Sequence, residues 1–242
     1  HGDWIFAAGQ LKAPLLTEEL IAPEFQLSAE RSLVNEFFTG GYTQGIAGIY
    51  TSDKFRFTAA LSDGANAGNS SYTSAAEADF SITGRAEFIF GDAGFDDFAA
   101  FTSFRDGATG FKVGLAAHWQ TGGETIGTAD VDVLRYTADI MGKMGGWNFF
   151  AAVVGQHVEV NATDTDIDDI GFVAQAGVFL SDQVELFGRW DTIMFDEDRG
   201  FDEDDVHFLT AGFNYYVTPR SHAVKFTGDV GYAFETFDAA TV

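Results

Sequence analysis

DVHFLTAGFNYYVTPRSHAVKFTGDVGYAF, residues 205–234, decides how the whole chain reads. Leu209, Ala211, Phe213, Tyr215 and Val217 alternate with Thr210, Gly212, Asn214 and Tyr216. After a short turn at Thr218-Pro219-Arg220-Ser221, Val224, Phe226, Val230, Tyr232 and Phe234 alternate with Lys225, Thr227 and Asp229. Side chains of a strand point to opposite faces with period two, so this is a hairpin with one apolar and one polar face. In a soluble sandwich the apolar face is the core. In a membrane barrel the apolar face meets lipid and the polar face lines a lumen, with Phe213, Tyr215, Val224, Phe226 and Tyr232 outside and Asn214, Lys225, Thr227 and Asp229 inside.

The same pattern repeats upstream. Strands are expected at 3–12, 43–52, 54–62, 79–90, 111–121, 130–144, 147–158, 169–180 and 184–194, which with the hairpin gives about eleven. Most run to about ten residues, twice the usual globular strand and the length that a tilted membrane strand needs. Short turns and longer acidic loops are expected on opposite rims, and the polar faces carry Gly, Ala, Ser, Thr and isolated charges. Residues 13–41 break the rhythm: the excursion is too long for a passive connection and too apolar for a disordered one, so it is expected to pack on another part of the chain. The fold class is therefore all-β, an antiparallel transmembrane β-barrel.

Composition agrees. Of 242 residues, 46% are hydrophobic and 15% aromatic, with 28 Gly, 26 Phe and only 3 Pro, yet there is no apolar run long enough for a membrane helix. With no cysteine there is neither a disulfide framework nor a thiolate metal site. A net charge of −24 argues against nucleic acid as a partner.

Lys54, Arg56, Arg85, Lys112, Arg135, Arg189 and Lys225 fall out of phase with the apolar set and are candidate pore-lining residues. Either they lower the barrier for an anion, or they pair with Glu87, Asp139, Glu185, Asp191 and Asp229 and hold the wall in register. Asp164, Asp166 and Asp168 have the opening spacing of a calcium loop but lack its turn Gly and closing Glu, so solvated acidic residues are expected there and no metal. The histidines lack metal-ligand spacing, and no nucleophile elbow or phosphate-binding Gly loop occurs. Neither an enzyme nor a cofactor is expected.

Three stretches, in order, resemble the phosphate-selective porin family of bacterial outer membranes. Gly9-Gln10-Leu11-Lys12-Ala13-Pro14 is similar to its strand-ending GQ-x-K-x-P, Glu30-Arg31-Ser32-Leu33-Val34 to its E-R-S-L-V, and Gly212-Phe213-Asn214-Tyr215-Tyr216 with His222-Ala223-Val224-Lys225 to its late G-x-N-Y-Y and H-x-x-K. The resemblance implies a homotrimeric outer-membrane porin of about sixteen strands with an inward-folded loop. It carries over Lys12, Arg31 and Lys225 as lumen residues beside Asp229 and the others above. The chain is far more acidic than that family, so a general porin for small hydrophilic solutes or anions, phosphate among them, is the expectation. About eleven strands leave an open edge, and the chain, 1–242, is expected to be one barrel domain truncated at both ends. The alternative is a soluble or surface-exposed β-rich binding or adhesion module with acidic cation-binding loops.

Overall fold

The computed structural model describes residues 2–67, 71, 74–75, 77–124, 130–163, 165–201 and 205–234. Eleven strands run in chain order: β1 (Asp3–Lys12), β2 (Tyr42–Thr51), β3 (Phe55–Ser62), β4 (Phe80–Gly91), β5 (Thr109–Thr121), β6 (Val131–Met144), β7 (Trp147–Val160), β8 (Thr165–Phe179), β9 (Val184–Met194), β10 (Asp205–Tyr216) and β11 (Lys225–Ala233). They form one antiparallel sheet in which each strand pairs with its sequence neighbours, leaving β1 and β11 as its two edges. The decisive hairpin pairs Gly212 with Asp229 and Tyr216 with Lys225. β6 and β7 turn through Gly145 and Gly146, both at positive φ (55° and 121°), which a Cβ would oppose.

β8 begins four residues earlier than its pattern suggested. Asp166 and Asp168 lie within the extended strand, where Asp168 Oδ1 meets His157 Nδ1 at 2.9 Å. A strand cannot curl around a cation as a calcium loop does, and Asp164 lies outside the described residues.

The two faces differ as expected. Phe213, Tyr215, Val224, Phe226 and Tyr232 are all exposed, whereas Asn214 is buried on the other side. Along the sheet Leu115, Tyr136, Phe172, Leu186 and Leu209 continue the exposed apolar surface. Aromatic rings gather at its margins: Tyr50, Phe55 and Phe88 near the short turns, Phe80 and Trp119 near the long loops. Small and aliphatic residues such as Ala86, Ala117, Ala138 and Ala174 lie between. A soluble sandwich would pack this face away. So large an apolar surface, banded by aromatics, has the form of a membrane-facing wall.

The other face is concave and filled. Residues 13–41 fold onto it, with helix α1 (Thr17–Leu20), a 3-10 turn at Pro23–Phe25 and helix α2 (Leu33–Phe38), whose first turn is capped by Ser32 accepting from the Asn35 amide at 2.9 Å. Leu15, Leu27, Val34 and Phe38 of this segment bury against Met141, Phe150, Val173 and Ile193 of the wall. Each such side chain contributes about 1.5–3 kcal/mol. The polar face is thus not uniformly wet: beneath the inserted segment it is apolar.

The rims hold a correction. Loops do not alternate strictly by length, because residues 92–108, joining β4 to β5, lie on the short-turn rim. They too fold inward, burying Phe98 and Phe101 in the same apolar cluster.

Candidate functional site on the concave face

The inserted segment is held by the polar residues that alternate along the strands. Near its start, Arg85 of β4 donates to the Leu15 carbonyl at 2.9 Å and to Thr17 Oγ1 at 2.5 Å. Thr17 in turn donates to Asp139 of β6 at 2.9 Å. In its middle, Lys225 donates to the Gln26 carbonyl (2.7 Å), Asn214 to the Leu27 carbonyl (3.0 Å), and Asp229 accepts from Ser28 Oγ (2.7 Å) and the Ala29 amide (2.9 Å). Farther on, Arg189 donates to the carbonyls of Glu30 and Arg31, Asp191 accepts from the Leu33 amide, and Arg135 donates to the Thr39 carbonyl. The segment therefore leaves β1, touches the wall on β4 and β6, reaches β11 and returns to β2.

Its own carboxylates close the path. Glu18 accepts from the Ser32 amide at 2.7 Å and from Ser32 Oγ at 2.5 Å, with Arg189 at 3.7 Å. Burial pushes the Glu18 carboxyl above its ordinary range, against the pull of Arg189 and Ser32. Glu19 meets Lys12 at 2.7 Å, Asn35 at 3.1 Å and Arg31 at 3.5 Å. Burial opposes ionisation there as well, but these partners hold Glu19 below its ordinary value.

Of the ten candidate pore-lining residues, most are spent on this work. Lys12 and Arg31 serve Glu19 and nearby carbonyls, and Arg135, Arg189, Lys225 and Asp229 anchor the segment. Lys54 departs from its expected place: it sits in the turn before β3, not within the strand, and its ammonium donates to the carbonyls of Gly91 and Ala93 at 2.8 Å each. Arg56, Arg85 and Lys112 are the three brought together. They surround Glu87 at 3.8, 3.3 and 2.8 Å, and Arg85 also meets Asp139 at 2.7 Å. Three cations thus meet two carboxylates, in a chain whose total is −24. Arg56 stacks over the Phe95 ring at 4.0 Å and retains partial exposure.

Arg56, Glu87 and Lys112 of this cluster line a cavity of about 340 Å³ between the wall and α1, which Phe95 and Asp96 also border, so two cations and two carboxylates face it. Charges held in a low-dielectric wall beside a cavity act strongly on a small ion that enters it. Glu185, expected to pair with a basic residue, is instead saturated by Asn148, Asn214 and Tyr216 at 2.9, 3.2 and 2.7 Å. The alternation along strands did not reveal Gly114 or Lys143. Gly114 leaves the space through which Arg85 reaches Asp139. Lys143 donates to the Thr102 carbonyl at 2.6 Å.

No protein-family model matches the sequence, and no curated protein matches it. The architecture is nonetheless similar to solved outer-membrane proteins. These include OmpT of Vibrio cholerae, in vitro folded and in trimer form (TM-score 0.63, 14% identity), and an anion-selective porin from Comamonas acidovorans (TM-score 0.62, 12% identity). Outer-membrane expressed OmpT matches with a TM-score of 0.58 at 15% identity. The first two align with 94% of this chain but only 65% and 63% of their own, so the chain spans less than two thirds of their length. The fold is the antiparallel, porin-like wall of outer-membrane β-barrels.

Proposed function

We propose that this chain forms the wall and constriction of a bacterial outer-membrane porin, a non-enzymatic channel for passive diffusion of small hydrophilic solutes. The observation that carries the reading is the inversion of the sheet: apolar side chains exposed on the convex face, and a charged, partly open concave face crossed by residues 13–41. Lipid covers the outer face, and the inserted segment is the pore-constricting loop. Small anions, inorganic phosphate among them, would meet Arg56 and Lys112 at the cavity, where Glu87 and Asp96 balance these charges. The trimer form of the OmpT neighbour supports a homotrimer. Further strands, bridging β11 to β1, complete the barrel, since an open edge cannot face lipid.

Liposome swelling tests this reading. Vesicles containing the full-length protein are expected to swell in isosmotic small sugars at rates that fall with sugar size. Folded protein in the vesicles with no swelling, even after the rim segment 92–108 is shortened, would contradict it.

A further inference from the structure

The segment 92–108 occupies a rim whose other connections are the turns 52–54, 145–146, 180–183 and 217–224. It is bound to widely separated parts of that rim. At one end Lys54 holds the carbonyls of Gly91 and Ala93, and at the other Arg105 donates to the Phe179 carbonyl at 3.0 Å and Arg220 meets Asp106 at 2.6 Å. The turn carrying Lys54 precedes β3 and the turn carrying Arg220 follows β10, seven strand intervals away. That is about 34 Å along the wall at about 4.8 Å per interval. A segment that begins at β4 reaches Arg220 by crossing the mouth as a chord.

From above, the Phe101 amide donates to the Phe25 carbonyl of the first inserted segment at 3.2 Å. Two cavities flank the contact: the one bordered by Arg56 and Lys112, and one of about 300 Å³ bordered by Ser103, Lys143 and His222. Ser103 Oγ and His222 Nε2 are buried without a protein partner, so the second cavity suits water or a polar solute. Both cavities are bordered by Phe25, Asp96 and Ala99.

We propose that residues 92–108 are a second constricting strap across the short-turn mouth, and that solutes pass from one cavity to the other through a neck at Phe25, Asp96 and Ala99. The proposal rests on the channel reading above. It assigns a size filter to the rim opposite the one from which residues 13–41 enter.

Two variants of the full-length protein test it by single-channel recording. Replacing residues 94–107 with Asn-Gly is expected to raise conductance about twofold or more, since the narrowest section sets the current. Ala99→Cys, in a full-length background cleared of any cysteine outside these 242 residues, which have none, is expected to lose about half its current or more on modification with a bulky charged thiol reagent. Wild-type conductance in the folded replacement variant, or full modification of the cysteine without change in current, overturns the strap while leaving the channel intact. If the replacement variant does not fold, the cysteine result alone decides. A silent wild type with a conducting replacement variant supports the strap as a closed gate. Silence from both overturns the strap together with the channel.

Discussion

Arg85 on β4 and Asp139 on β6 meet at 2.7 Å across the intervening strand β5, through the gap left by Gly114. A Cβ on Gly114 would lie 2.7 Å from Asp139 Oδ1 and closer still to Arg85 Nη2. Both charged side chains are almost wholly buried, and Thr17 of the inserted segment bonds to both. This pair fastens the start of residues 13–41 to the wall.

Gly114→Ala is therefore expected to part the pair and destabilise the protein by about 3–5 kcal/mol, the scale for breaking a buried ion pair. Denaturant unfolding in detergent reads the loss. Gly84→Ala is the control, since nothing lies within 4 Å of its added Cβ.

At the far side of the lumen, Asp229→Asn weakens the two bonds to Ser28 and Ala29. A loss of about 1.5–3 kcal/mol is expected, confined to the segment. Hydrogen exchange should accelerate in residues 26–31 while the strand amides keep their protection.

The convex face is tested by Leu115→Arg. Leu115 is 54% exposed in the middle of the apolar surface. In lipid the substitution is expected to cost about 2–4 kcal/mol, whereas on a water-facing surface it would cost almost nothing. Unfolding measured from lipid vesicles distinguishes the two.

His222, in the turn after β10, packs against the rings of Phe25, Phe104 and Tyr216. Burial, then the nearby Lys225 and Lys143, push its pKa down to about 4 from 6.5, with Glu24 opposing. The folded turn prefers neutral imidazole, so its stability is full above about pH 6.5 and falls as the pH drops toward about 4. Amide exchange in residues 217–224 should rise through that window beyond its intrinsic pH dependence, and His222→Gln should remove the excess.

Much of this was legible in the sequence. Strict alternation placed the strands within a few residues and assigned the faces, because a one-residue slip would put Phe213 or Leu115 in the lumen. That residues 13–41 pack rather than dangle was legible from their length and apolar content, while their inward course was implied only by the resemblance to porins. The duties of Arg135, Arg189 and Lys225 were not, because they bond to backbone carbonyls brought close only by the folded path of that segment. Residues 91–110 read as a long loop rich in Phe and Asp, without an inward course. Phe95, Phe98, Phe101 and Phe104, spaced by three, were the signal that this loop carries an apolar side to bury.

The most direct test is a planar-bilayer recording of the full-length protein under a salt gradient. Discrete, stable conductance steps are expected, with a reversal potential of the sign that anion preference gives, reduced when Arg56 and Lys112 are both changed to Gln. Folded protein that inserts into the bilayer yet passes no current, in wild type and in the strap-replacement variant alike, would contradict the channel.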